Sequence, residues 1–318
     1  MSSRQQTHSG PAHSAEVRQV YERVLAGASV HSRHLATEGS GRVHVLEKGG
    51  GPPLVLLHGT GNSAGFLLPL LDALHGVRVL APDLPGVGLS DPVDLPRDRY
   101  RGSAVAWLDR LLDTLELRTA TLAGHSGGGL WALWYALAHP ERVERLVLLG
   151  PPALPGTRCP LPIRLVATPG LGELLSRLAP PSRASVLRLA SFMGEGATIA
   201  AHPDLVDLLV ALGRDPVTDR AAKTEFRMLV SPVAMVSPSG FRRRARLQPG
   251  ELGRLAMPTL LLWGERDPLG GVAVARTLAG LIPHAQLEIL PTGHGPWLGQ
   301  PGPTATAMLE FMAIGPGR

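Results

Sequence analysis

The sequence predicts an α/β protein: a mostly parallel, eight-stranded sheet with helices on both faces and a helical insertion. Three observations predict it. Short, apolar runs alternate with helix-length amphipathic segments, as buried parallel strands alternate with their crossover helices. Polar residues able to do chemistry cluster just after the carboxyl ends of those runs, where open α/β sheets collect their functional groups. From 151 to 250 the alternation stops and only helical spacing remains.

Residues 1–13 are polar and read as a disordered tail. Val17, Val20, Tyr21, Val24 and Leu25 recur at helical spacing, predicting a helix over 15–25. The β-rich stretches 30–35 and 42–47, separated by Glu38-Gly-Ser-Gly41, predict a hairpin. Pro53-Leu-Val-Leu-Leu57 is a wholly apolar strand, followed by a helical segment over 66–74 and a strand over 77–81. Val105, Leu108, Leu111, Leu112 and Leu115 give one apolar side to a helix over 103–115. Strands are expected at 119–123 and 143–149, flanking a long apolar helix that begins near Leu130. Then Pro151, Pro152, Pro155, Pro160, Pro162 and Pro169 exclude a buried strand. Helical patterns follow at 171–178, 184–193, 203–212 and 218–229. Sheet rhythm resumes with strands at 258–263 and 285–290 and helices at 272–281 and 304–312. Residues 14–150 and 251–318 thus form the core, and 151–250 the insertion.

Composition narrows the function. Hydrophobic residues make up 44% of 318, enough for a sizeable core, and charged residues only 18%. The net charge of +5 comes with 4% aromatics, and apart from Arg242-Arg-Arg-Ala-Arg246 the basic residues are scattered; a nucleic-acid partner is not expected. The cluster itself reads as a solvated face. Cys159 is the one cysteine, so no internal disulfide is available, and no Cys/His metal spacing occurs. The N-terminus lacks an apolar secretory region, and no apolar run approaches the ~20 residues of a membrane span. The expectation is a cytoplasmic protein that acts on small molecules without metal, cofactor or membrane.

The chemistry centres on Gly124-His-Ser-Gly-Gly128, placed between a strand and a helix. A serine at the apex of such a turn, with glycines two residues to either side, has the context of a nucleophile elbow. Other strand ends carry His58-Gly-Thr-Gly61, Asp83, Gly264-Glu-Arg-Asp267 and Gly293-His294. Serine, acid and histidine therefore occur in the chain order of the α/β-hydrolases.

On these motifs, together with Pro82-Asp-Leu-Pro-Gly-Val-Gly-Leu-Ser-Asp91, the chain resembles the α/β-hydrolase superfamily over about 28–313, in its lidded esterase/epoxide-hydrolase-like branch. The resemblance implies that 151–250 is a lid, that Asp83 belongs to a structural turn, and that Asp267 is the acid in preference to Glu265. The serine at 126 argues against members that use an aspartate nucleophile. A serine needs a base, and His294 is suited to exchange a proton near neutral pH. Asp267 would orient the imidazole, and the backbone N–H groups of Gly127 and Thr60 would bind the oxyanion. His58, Gly59, His125, Trp131, Phe192, Met193, Phe226 and Trp297 are pocket candidates; Met228, Met235 and Phe241 could serve the pocket or the lid's own core. His58 also reads as a holder of the oxyanion loop, His125 as a structural neighbour of the serine, and Cys159 as inert. The expected activity is hydrolysis of an ester or thioester of apolar character through an acyl-serine. The alternative is a C–C bond hydrolase or a lyase/cyclase acting on a bulky apolar metabolite. A binding protein on the same scaffold would have no need of a base aligned on a serine.

Overall fold

The computed structural model describes residues 12–39, 41–231 and 237–313. Its sheet has eight strands: β1 (His31–Thr37), β2 (Gly41–Lys48), β3 (Pro53–Leu57), β4 (Arg78–Pro82), β5 (Ala120–His125), β6 (Val143–Leu149), β7 (Thr259–Gly264) and β8 (Ala285–Leu290). They lie in the order β1-β2-β4-β3-β5-β6-β7-β8. The pairings β1–β2 and β2–β4 are antiparallel and the others parallel, so β2 alone among the described strands runs against the rest.

The helices begin with α1 (Ala15–Leu25), α2 (Leu68–Ala73), α3 (Tyr100–Thr114) and α4 (Ser126–Ala138). Between β6 and β7 come α5 (Leu161–Ala167), α6 (Leu171–Leu178), α7 (Arg183–Phe192), α8 (Gly196–Ala200), α9 (Pro203–Arg214), α10 (Pro216–Leu229) and α11 (Pro249–Leu252). After β7 come α12 (Val272–Leu281), α13 (Pro296–Gly299) and α14 (Pro301–Ala313). The short helices α5, α8, α11 and α13 escape periodicity because four to seven residues are too few to show a face. Helix α14 starts three residues before the expected 304, with Pro301 and Pro303 in a first turn that needs no internal N–H donors.

Because side chains alternate across a strand, the apolar runs feed two cores at once. Val55 and Leu57 of β3 and Leu261 and Trp263 of β7 join α3, α4 and α12 on one face. Leu54, Leu56, Leu260 and Leu262 join α1, α2 and α14 on the other. Each fully buried aliphatic side chain contributes about 1.5–3 kcal/mol. Insertion helix α9 shares the second core through Leu205, Leu208 and Leu212, so the insertion is packed partly against α1. Among the described residues, no helix is long and apolar enough to cross a membrane.

Two buried polar junctions fix the outer elements. Asp83, fully buried at the end of β4, accepts hydrogen bonds from His44 Nδ1 (2.7 Å), Tyr21 Oη (3.0 Å), Ala64 N (2.7 Å) and Leu89 N (2.9 Å). It ties β2, α1 and the loops after β3 and β4 together. Burial alone would raise its carboxyl, but the His44 charge and these donors hold it below its ordinary value. The second junction involves the expected tail. Residues 1–11 lie outside the described residues, but His13 is buried, with Nδ1 2.8 Å from Asp215 Oδ2 and Nε2 2.8 Å from the Ser90 carbonyl. Asp215 also accepts from Ser14 N and Thr218 N and caps α10. The N-terminal segment thereby clasps the insertion.

Both ring nitrogens of His13 face acceptors, and only the imidazolium donates to both. Burial opposes the charge, yet the Asp215 and Ser90 bonds outweigh it and raise the His13 pKa. A raised histidine contributes stability that is complete below its unfolded value of about 6.5 and lost as pH rises through the folded value. His13→Ala is therefore expected to lower the melting temperature more at about pH 5.5 than at about pH 9. Equal losses at the two pH values would refute this role for the imidazolium.

Candidate active site

Ser126 sits where β5 turns into α4, with φ of +50°, a left-handed conformation that costs a non-glycine residue about 1–3 kcal/mol. Tight packing on both sides holds it there. A Cβ at Gly124 would lie 2.5 Å from the Gly128 carbonyl, and one at Gly128 would lie 2.4 Å from the His58 carbonyl. Only glycines let strand, helix and the β3 loop approach this closely. Ser126 is partly exposed among fully buried neighbours, at the N-terminal, positive end of α4.

The loop after β3 lies against this turn. A Cβ at Gly59 would be 3.2 Å from Ser126 Cβ, and one at Gly127 would be 2.3 Å from Thr60 Oγ1 and 3.3 Å from Thr60 N. The structure thus brings the Thr60 and Gly127 backbones together beside Ser126. His58 stands behind them: Nδ1 donates to the Gly59 carbonyl (2.9 Å) and Nε2 accepts from Leu84 N (2.9 Å). Burial lowers its pKa, in keeping with a neutral ring that ties two loops together.

His294 follows β8, and its Nδ1 donates to Asp267 Oδ2 at 2.8 Å. Asp267 Oδ1 accepts from Leu269 N at 2.8 Å. Both side chains are buried. Glu265 is exposed and leaves the histidine to Asp267. With Nδ1 donating, a neutral His294 keeps Nε2 as an acceptor. His125 links the two halves of the site: its Nε2 donates to the His294 carbonyl (3.0 Å), and its ring lies 4.7 Å from that of His294 and 4.4 Å from that of Trp297. Burial, then the nearby His294, pushes His125 well below its ordinary value.

A cavity of about 320 Å³ opens nearby, lined by Leu84, Val87, Val93, Leu95, Trp131 and Glu225 among others. Of the pocket candidates, Trp131 lines it. The structure places the others elsewhere. Trp297 is fully buried, donates to the Phe66 carbonyl and packs on His125 as a support. Phe192 is 45% exposed at the end of α7. Met193 meets the site through its backbone, whose carbonyl accepts from His294 N at 2.9 Å. Phe226 packs against the first core beside the buried Met228 and Phe241, and His58, Gly59 and His125 are packed behind the serine turn. Met235 lies outside the described residues. Cys159 is buried and its thiol is pushed up to about 12, which suppresses the thiolate.

Two buried acids from the insertion were not anticipated. Glu195 Oε1 accepts from Gly293 N (2.7 Å) and Gly295 N (3.2 Å), bracketing His294. Burial raises its pKa despite these donors. The sequence signal was an acid between Gly194 and Gly196 beside an apolar segment. Glu225 is buried at the inner end of the cavity, where burial pushes its carboxyl up to about 7 against the influence of Thr60, Tyr100 and Trp131. Its signal was its place on the Val217-Ala221-Glu225-Met228 face of α10. No group of three or more His, Cys, Asp or Glu among the described residues is arranged to hold a metal ion.

A family model described as alpha/beta hydrolase fold matches residues 52–298. The chain is 29% identical over 289 residues to 2-hydroxymuconate semialdehyde hydrolase of Pseudomonas sp. (strain CF600), covering 86% of this chain and 90% of that one. It is 29% identical over 236 residues to pimeloyl-[acyl-carrier protein] methyl ester esterase of Shewanella sp. (strain MR-7), covering 72% and 78%. The solved structure of carboxylesterase CesB (YbfK) from Bacillus subtilis superposes with a TM-score of 0.71 at 24% identity, covering 94% and 98%.

The Glu195 clamp gives a direct test. Glu195→Ala leaves two buried N–H groups without their acceptor and is expected to cost about 1–3 kcal/mol in denaturant unfolding. Amide exchange at Gly293 and Gly295 should accelerate, with Glu195→Gln milder because its amide oxygen still accepts. Unchanged exchange at both glycines in the alanine variant would overturn the clamp.

Proposed function

The chain belongs to the alpha/beta hydrolase fold family, and from that premise we propose that it is a serine hydrolase acting on small apolar acyl substrates, esters or thioesters. The observation that carries the reading is the buried His294–Asp267 hydrogen bond, linked through the His125 ring to the serine held in a strained turn. Ser126 Oγ attacks the substrate carbonyl while His294 Nε2 takes its proton. Asp267 keeps the imidazole in the correct tautomer and stabilises the imidazolium. The N–H groups of Gly127 and Thr60 receive the oxyanion, each worth about 3–4 kcal/mol in the transition state. The alcohol or thiol departs with the proton from His294, leaving an acyl-serine. Water, deprotonated by His294, then attacks the acyl carbon and releases the acid. In this reading no cofactor takes part, and the insertion acts as a lid over the site. The ester-acting Shewanella relative supports the ester assignment, and the exposed Leu161, Leu174, Leu178 and Phe192 on α5–α7 suit a mobile cover.

A second reading has its own support. The Pseudomonas relative is named for a semialdehyde that contains no ester, which favours hydrolysis of a C–C bond in this same site. Product analysis on each substrate class, with Ser126→Ala alongside, separates the two readings.

A fluorophosphonate probe is expected to label the wild type at Ser126 and to leave Ser126→Ala unlabelled. Turnover of an activated aryl ester should fall by about 10⁴-fold or more in Ser126→Ala and His294→Ala, and by about 10⁴-fold in Asp267→Asn. A folded Ser126→Ala variant that kept full ester turnover would rule out the acyl-serine.

A further inference from the structure

The floor of the cavity carries two buried polar atoms that lack hydrogen-bond partners: Glu225 Oε1 and Trp131 Nε1. Glu225 is 8% exposed and Trp131 1%. The two side chains interact electrostatically, with Thr60 and Tyr100 alongside, yet neither of these two atoms has a partner at hydrogen-bond geometry. Leaving such groups unserved in an apolar interior is costly, so a ligand that serves them gains affinity. The position is also functional. A Cβ at Gly127 would lie 2.9 Å from Glu225 Oε1, so Glu225, which lines the cavity, abuts the residue next to Ser126. The walls are mostly apolar, with Leu84, Val87, Val93 and Leu95, and Asp94, Arg220 and Thr224 supply the other polar lining.

The two atoms select their complement. An indole N–H only donates, and a carboxyl oxygen that carries no proton only accepts. A carbonyl or ether oxygen would serve Trp131 and leave Glu225 unserved. An ammonium group would do the reverse, and a purely apolar chain would serve neither. A hydroxyl accepts from one and donates to the other. It pairs with Glu225 in either protonation state, because the neutral acid keeps one acceptor oxygen and gains a donor. We propose that Glu225 and Trp131 form a specificity subsite for a hydroxyl group, so that the preferred substrates are hydroxylated members of an otherwise apolar acyl class. The substrate class builds on the serine-hydrolase reading, whereas the subsite is testable without it.

The kinetic arm uses p-nitrophenyl hexanoate and the p-nitrophenyl esters of 2-, 3- and 6-hydroxyhexanoic acid, which sample the depth of the cavity. At least one hydroxylated ester is expected to exceed the plain ester in kcat/KM by about ten-fold or more. That ratio, whatever the absolute rate, should fall to about one in Glu225→Leu and in Trp131→Phe and persist in Glu225→Gln, whose amide still accepts. No preference at any position, or a preference that survives both Glu225→Leu and Trp131→Phe, overturns the subsite. The binding arm uses Ser126→Ala and calorimetry with the methyl esters of the same acids. The same preference is expected there, and equal binding across the series overturns the subsite. If the wild type hydrolyses no ester but Ser126→Ala still prefers a hydroxylated one, the hydrolase reading fails and the subsite stands. If esters are hydrolysed without preference, the outcome is the opposite.

Discussion

The close approach at the β5–α4 turn constrains everything around it. Ser126 is held at positive φ because backbone on either side leaves no room for a Cβ at Gly124 or Gly128. Strain of this kind persists only when the surroundings over-determine it. Here they do: β5 is buried along its length between β3 and β6, and α4 is buried on nearly every side. The same closeness brings the β3 loop against the turn, so the Thr60 and Gly127 backbones lie together as a consequence of packing.

The histidine half is built differently. His294 lies in a loop with no sheet ladder to hold it, and its position depends on polar contacts from four directions. Asp267 holds Nδ1, His125 donates to its carbonyl, Met193 accepts from its backbone N–H, and Glu195 fixes the glycines on either side. Two of these four come from the insertion. The insertion is in turn anchored by the shared α1–α9 core and the His13–Asp215 pair. A segment that grips His294 in this way couples the placement of that histidine to its own packing, which links the outer surface of the molecule to the chemistry proposed for its centre.

The insertion also supplies Glu225, which lines the cavity and stands beside the serine turn. It is carried by α10, whose buried residues also include Val217, Thr218, Lys223, Met228 and Leu229. Core strands bring serine, histidine and acid together by topology, which the fold repeats across many activities. Glu225 and Trp131 line the cavity instead, and in the proposed subsite they meet the substrate away from the reacting bond.

Much of this protein was legible in its sequence because the signals are local. Apolar runs such as Pro53–Leu57 can only be buried strands, since no other element of that length hides both faces. Ser126, Asp267 and His294 stood out because parallel strands gather their carboxyl ends along one edge, so position after a strand is already position in space. The roles of Trp297, Phe192 and the two buried glutamates were not legible in that way. Whether an aromatic lines a cavity or braces a histidine depends on which neighbours surround it, and Trp297 meets His125 across 172 residues of chain. A glutamate reads as solvated surface until the fold removes its water, which happens to Glu195 and Glu225 where the insertion packs against the core. Sequence determined the frame and singled out Ser126, Asp267 and His294 through short-range pattern and strand topology. The tertiary structure decided what surrounds them and what lines the cavity, because burial and pairing between distant segments exist only once the chain has folded.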